Sequence, residues 1–198
     1  MRVLIVTAVE AERAVLAHPD AIVGGIGPAA AAAATSAELA RASYDLVVCA
    51  GIGGGFGPLQ PGDIAVASTI AFADLGAHSP AGWVEIEGAP VHYDVPPRLA
   101  VEIADRTGGH LGTVLTVAGV TGTAEQTEAL AARYPDAVAE GMEGAGVAAA
   151  ALVHDAPFAE IRAISNLVGP RDRDAWRIPD ALTALRAAIA DLAAGWDE

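Results

Sequence analysis

Six short apolar runs, separated by stretches of helical composition, constrain this chain more than any other feature. They are Arg2–Ala8, Tyr44–Ala50, Asp63–Phe72, Gly112–Ala118, Ala137–Ala139 and Pro157–Ser165. Most are apolar at successive rather than alternate positions, so both faces of a sheet built from them need cover, which intervening helices supply. The pattern predicts an α/β fold: a mixed central β-sheet flanked by helices on both faces. At 198 residues, with no internal repeat or linker, the chain reads as a single domain, 1–198.

The helices announce themselves by their punctuation. Gly24-Gly25-Ile26-Gly27-Pro28 opens an alanine-rich helix from Ala29 to about Ala42, with Pro28 suited to its first turn. A helix near Pro97–Thr107 follows, and Thr123-Ala-Glu-Gln126 is a capping box for one from about Ala124 to Arg133. Small residues from Gly144 to Leu152 form another. Pro179 opens the last, with Leu182, Leu185, Ile189 and Leu192 at helical spacing. The stretch 74–95 reads as a long functional loop or a short hairpin, and Asn166–Arg177 as a charged polar loop.

Charge and composition narrow the partners. With 11 basic against 25 acidic residues, a net charge of −14 argues against a nucleic-acid partner. The longest apolar runs fall short of the roughly 20 residues that a bilayer needs, so no membrane partner is expected. The first run meets Glu10 and Glu12 and has no cleavage-type site after it, which suits a buried strand better than a signal peptide. Cys49, the single cysteine, lies inside an apolar run. It reads as a small core residue, and a reducing cytoplasm fits. The histidines show no metal spacing, and neither metal nor cofactor is expected. The ligand should be a small molecule.

Chemistry concentrates where the runs end. Glu143 follows one of them in Ala-Glu-Gly-Met-Glu-Gly-Ala-Gly-Val (139–147), among glycines that let a ligand lie against the backbone. A carboxylate there can accept bonds from the vicinal hydroxyls of a ribose; the plainer reading is a helix N-terminal acid. Other ends deliver Glu10 and Glu12, the glycine run Gly51–Gly57, and Ser165-Asn166. Acid, glycine cradle, acid and carboxamide together suggest a nucleoside site.

On these residues the chain resembles the purine nucleoside phosphorylase and nucleosidase superfamily, in the branch of methylthioadenosine/adenosylhomocysteine nucleosidases. The motifs are Ala8-Val9-Glu10-Ala11-Glu12, the glycines from Gly51 to Phe56, Pro61-Gly62-Asp63, Met142-Glu143 and Arg162-Ala163-Ile164-Ser165-Asn166. The resemblance implies the superfamily's nucleoside phosphorylase/hydrolase-like fold, Glu12 as the base that activates water, and Glu143 with Met142 at the ribose. Gly53 falls in the glycine run, Val120 and Thr121 would line the base pocket, and Ser165 would hold Asn166. It also implies a homo-oligomer, at least a dimer. Adenine-specific members carry Asp where this chain has Asn166. A carboxamide cannot act as a general acid, but it sets no anion against a carbonyl, so a 6-oxopurine such as hypoxanthine fits it better. Within the superfamily the chain therefore resembles a branch of hydrolases that release hypoxanthine on a route to menaquinone.

Water is expected over phosphate as the nucleophile, because Gly24–Pro28 and Gly51–Gly57 contain no arginine or lysine and Arg13 is the single nearby candidate. Three alternatives stand beside the hydrolase: an inosine- or guanosine-type phosphorylase, an adenine nucleosidase, and a nucleoside-binding module without turnover. A dinucleotide fingerprint at Gly24–Pro28 is disfavoured, since it does not directly follow the first strand and no acid ends the next one. Arg171 and Arg173 read either as a self-paired solvated loop or as partners for a substrate carboxylate. Phe72 and Trp83 read as pocket walls or subunit contacts.

Overall fold

The structure, a computed structural model, describes residues 1–80 and 82–195; Ala81, inside the 74–95 stretch, lies outside the described residues. The chain runs β1 (Val3–Thr7), α1 (Glu10–Leu16), β2 (Ala21–Val23), α2 (Pro28–Leu39), β3 (Leu46–Gly55), β4 (Ile64–Phe72), and a hairpin of β5 (Ala77–Ser79) and β6 (Gly82–Val84). It continues with β7 (His92–Asp94), α3 (Pro97–Thr107), β8 (His110–Thr116), α4 (Ala124–Arg133), β9 (Ala137–Gly141), α5 (Gly144–Val153), β10 (Phe158–Leu167) and α6 (Ile178–Ala194).

The sheet is mixed, as expected, and it closes. From its open edge β2, β1 and β3 lie parallel, and β3 is parallel to β10. Strand β10 is antiparallel to β4, which is parallel to β8, which is parallel to β9. Strand β9 then returns antiparallel to β3 through Gly54↔Glu140 and Gly55↔Ala139. Five strands thus form a ring, with β1 and β2 as a flap on its side. On one side α1 and α3 pack on α6, and elsewhere α2 packs on α5. The core between them is aliphatic, with Leu4, Ile5, Val47, Ile161, Ile164, Leu185 and Ile189 all at most 1% exposed.

Two boundaries differ from the sequence reading in ways that matter. Strand β3 does not stop at Ala50 but runs through the glycines to Gly55, and β10 carries Asn166 inside the strand. Apolar patterning marks where a strand is greasy, and neither end is. The short elements α1 and β2 have no distinct signature, and the 74–95 stretch resolves into the β5–β6 hairpin and β7, which pairs with β4.

The alanine bias has a packing reason. A Cβ added at Gly146 would lie 2.0 Å from the Pro28 carbonyl oxygen, so α5 meets the start of α2 at backbone contact. Larger residues on either face would hold the two apart. Gly146→Ala should therefore destabilise the chain by about 1–3 kcal/mol through overpacking, although alanine is the better helix former. Urea unfolding checks this; an unchanged or raised midpoint would show that the helices part freely.

Candidate active site

The ring closure builds a cleft of about 300 Å³. Strand β9 meets the C-terminal end of β3 head to head. Continuing that antiparallel register past Gly141 carries Met142 and Glu143 back alongside Ile52 and Gly51. Strand β10 runs on the other side of β3, with Arg162 opposite Gly51. All eight residues singled out from the sequence line this cleft: Glu12, Gly53, Val120, Thr121, Met142, Glu143, Ser165 and Asn166.

Glu12 is 3% exposed. Its Oε2 accepts the Ala8 and Val9 amides at 2.9 and 3.2 Å, and its Oε1 accepts the Ile52 amide at 2.9 Å. As the third residue of α1 it reaches back to the amide that precedes the helix, which is half of a capping box. A cap alone would not explain the bond to Ile52, forty positions along the chain. Three donors leave about one of the carboxylate's roughly four acceptor positions for another partner. Glu10, by contrast, points outward and pairs with Arg13 at 2.5 Å.

Glu143 does not cap its own helix. Its Oε1 accepts the Gly27 amide at 3.1 Å, and its Oε2 accepts the Met142 amide at 3.3 Å and meets Arg162 Nη1 at 3.0 Å. The Gly27 bond gives the GGIGP segment its role. Gly27 has φ +90°, a conformation that side chains rarely adopt, and in it the amide faces the carboxylate.

Asn166 sits at the rim of the cleft. Ser165 Oγ lies 2.7 Å from its Oδ1 and donates to it, and Asn166 Nδ2 donates to the Leu167 carbonyl at 2.9 Å. That arrangement leaves the second Nδ2 proton unused. Opposite, Glu140 is buried and accepts both the amide and the hydroxyl of Thr121, which secures the Val120–Thr121 wall. Burial pushes the Glu140 carboxyl above its ordinary range.

With this geometry in view, comparison with known proteins is direct. The family model described as the phosphorylase superfamily matches residues 4–194. The chain belongs to that superfamily. A futalosine hydrolase of Streptomyces coelicolor is 48% identical over 184 residues, covering 88% of this chain and 78% of the relative. One from Acidothermus cellulolyticus is 44% identical, covering 91% and 77%. The 5′-methylthioadenosine/S-adenosylhomocysteine nucleosidase of Neisseria meningitidis, solved with methylthio-immucillin-A, superposes with a TM-score of 0.85. At 20% identity, with 98% of both chains covered, it shares the fold.

Superfamily membership leaves one feature of the site unaddressed, and sequence reasoning missed it. Arg162 is 2% exposed and spends its guanidinium entirely within the protein. Nε meets Glu160 at 2.8 Å, Nη1 reaches Glu143 and, at 3.4 Å, the Ile52 carbonyl, and Nη2 meets Cys49 Sγ at 3.2 Å. This cluster corrects the reading of the glycines. A Cβ at Gly51 would meet Glu12 and Arg162 at 2.8 and 2.9 Å, one at Gly141 the Arg162 guanidinium at 2.6 Å, and one at Gly144 the Glu160 carboxylate at 2.0 Å. These glycines make room for buried charges of the protein, not for a ligand. At Gly53 the obstacle is likewise protein, the Glu140 carbonyl at 2.6 Å. The sequence signal was present: charged residues at 160 and 162, alternating inside an apolar strand, with glycines facing them.

Burial also pushes the Cys49 thiol up, which leaves it a poor nucleophile. Among the described residues, no group of three or more His, Cys, Asp or Glu is placed to hold a metal ion.

Burial, opposed by Arg162, pushes the Glu160 carboxyl from an ordinary 4.5 up to about 6. Between those values the folded chain keeps a proton that the unfolded chain releases, so stability falls as pH rises through the window. Against Glu160→Gln, the wild type should lose roughly 2 kcal/mol between pH 4.5 and 6 and hold level above it. Urea midpoints of both proteins across that range test this; a difference independent of pH would contradict it.

Proposed function

We propose that this chain hydrolyses the N-glycosidic bond of futalosine, releasing hypoxanthine and dehypoxanthine futalosine, as a step of menaquinone biosynthesis. The observation that carries the reading is the convergence of Glu12, Glu143 and Asn166 on one cleft, with a carboxamide rather than an acid at the base-facing position. The futalosine hydrolases at 48% and 44% identity supply the substrate.

The mechanism follows from what each group has left to offer. Glu12, fixed by three amides, has one acceptor position for a water, which it orients and deprotonates below C1′. Glu143 receives the 2′ and 3′ hydroxyls; its long Met142 contact at 3.3 Å is the one most easily yielded to a hydroxyl. As the bond to the base stretches, positive charge develops on the ribose between these two carboxylates. Charge moving onto the purine is met by the spare Nδ2 proton of Asn166, directed to N7 or O6. Neutral stabilisation here replaces the proton that an acid would deliver: the purine departs as its anion and takes a proton from water, while the proton that Glu12 removed returns to solvent.

The main competitor, phosphorolysis, lacks a cation. Arg162 is the one basic residue lining the cleft among the described residues, and its guanidinium is already committed. Arg13 pairs with Glu10 outside it. A phosphate dianion at the ribose would face Glu12, Glu140 and Glu143, and no uncommitted basic residue is among the described residues that line the cleft.

The quaternary state belongs to the same proposal. Ile26 and Val120 line the cleft yet remain 63% and 47% exposed, so the cleft has apolar walls that a second copy would cover. We expect at least a dimer, read by light scattering after gel filtration. Action in the cytoplasm is part of the same proposal; the described helices include none long and apolar enough to cross a membrane.

Hypoxanthine release from futalosine should proceed at the same rate with and without phosphate. Glu12→Gln should lower kcat by roughly 10²–10⁴-fold with the fold intact. Asn166→Ala should lower kcat with little loss of ground-state binding. A base release that requires phosphate, or a Glu12→Gln enzyme of full activity, would defeat the proposal.

A further inference from the structure

The loop after Asn166 holds two arginines in a way that the solvated, self-paired reading does not predict. From Leu167 the chain arches over the cleft and returns at Arg177, whose amide donates to the Ser165 carbonyl at 2.8 Å. At its outer end the Arg171 amide donates to the Gly122 carbonyl at 3.3 Å, tying the loop to the wall that carries Val120 and Thr121. A single 3-10 turn, Arg173–Ala175, then presents Trp176, whose side chain lines the cleft. The guanidinium carbons of Arg171 and Arg173 each lie 5.7 Å from the centre of the Trp176 ring.

The acids between the arginines do not neutralise them. Asp172 Oδ1 accepts the Asp174 amide at 3.1 Å and so caps the turn. Arg177 is the basic residue of this segment with a carboxylate partner, Asp180 at 2.6 Å. Neither Arg171 nor Arg173 forms an ion pair among the described residues. In a chain of net charge −14, two arginines with no acid partner beside one aromatic ring at the mouth of the substrate cleft are a departure from the background.

The remaining lining indicates what they would meet. Asn166, Ser165 and Thr121 are accounted for by the base, Glu143 by the ribose and Glu12 by the water. Val9, Ile26, Ile52 and Trp176 are apolar lining that these roles leave over, and the two arginines stand beside Trp176. The geometry points to Arg171 and Arg173, stacked about Trp176, as the site that holds an aryl carboxylate carried on the 5′ arm of the nucleoside. This inference rests on the futalosine reading, since futalosine bears an arm of that class. The ring of the arm lies along the apolar lining against Trp176, and its carboxylate reaches the two guanidiniums, which recognise planar anions through paired N–H donors. An uncharged 5′ substituent gains nothing from them.

The experiment compares wild type, Arg171→Gln, Arg173→Gln and the double variant on futalosine and on its methyl ester, by hypoxanthine release and by calorimetric binding. Each single substitution should raise KM for futalosine about tenfold and the double about a hundredfold, with kcat little changed. The ester should be indifferent to all three, and thermal melts should coincide. Equal losses on acid and ester, or no loss on either, overturn the clamp. Hypoxanthine released from futalosine as well by the double variant as by wild type overturns the clamp and leaves the hydrolase reading standing. Arginine-dependent binding without hypoxanthine release does the reverse. Wild type that neither binds nor cleaves futalosine overturns both.

Discussion

One guanidinium holds this site together. Arg162 lies in the middle of β10, 2% exposed, between Glu160 on its own strand, Glu143 beyond β9 and Cys49 on β3. Burial works against its charge, but Cys49, Glu160, Glu143 and Glu12 together outweigh that cost and keep it protonated. Glu143, 4% exposed, has in Arg162 the cation that offsets the burial of its charge. Two acids on one guanidinium leave a net negative interior. That is an expensive arrangement for stability alone, since apolar residues of similar volume often serve as well.

The sheet topology explains how such a cluster can be assembled. In an open parallel sheet the strand ends lie in a row, and side chains from distant strands cannot converge. Here β9 pairs antiparallel with the end of β3, and Met142 and Glu143 just beyond it share a cleft with Ile52 and Gly53. Strand β10 flanks the same segment, and α1 drops Glu12 onto the Ile52 amide. Glu12 and Arg162, the latter holding Glu143 and Glu160, then crowd against Gly51 and Ile52 of β3. Gly51 and Gly53 are the condition for this, because a Cβ at either would lie within 2.8 Å of those groups or of the Glu140 backbone. The glycine run is therefore strand rather than loop, and its purpose is clearance for the protein's own side chains.

Legibility from sequence tracked the range of the interaction involved. Helices with local punctuation, Pro97–Thr107 and Ala124–Arg133, have the boundaries expected of them, since caps and prolines act within four residues. The cleft residues were legible because motif order carried them, and all eight face one cavity. The ring closure was not legible, as two bridge pairs between β3 and β9 leave no periodic trace. Glu160 left a trace, a charge two positions before Arg162 in an apolar run, but its pairing with Arg162 at zero exposure shows only in the fold. The role of Gly27 was not legible either. It resembles a phosphate-binding turn, but its amide is already taken by Glu143, 116 residues away.

The electrostatics of the closed site also bear on which reaction it favours. Glu12, Glu140, Glu143 and Glu160 outnumber the single arginine among the described lining and cluster residues. Such a surplus repels an incoming dianion and stabilises a developing cation. Hydrolysis through an oxocarbenium-like transition state needs both properties, because water brings no charge and the ribose acquires one. The leaving purine needs the opposite, a place where negative charge is tolerated. On the proposed reading Asn166, at the rim, meets that requirement with a neutral donor oriented by Ser165. An aspartate there would add a further negative charge to a site already rich in them, and would have to carry a proton to be useful. On the proposed reading the carboxamide removes that need by surrendering proton delivery, and an oxygen at the sixth position of the purine would be met without titrating a group.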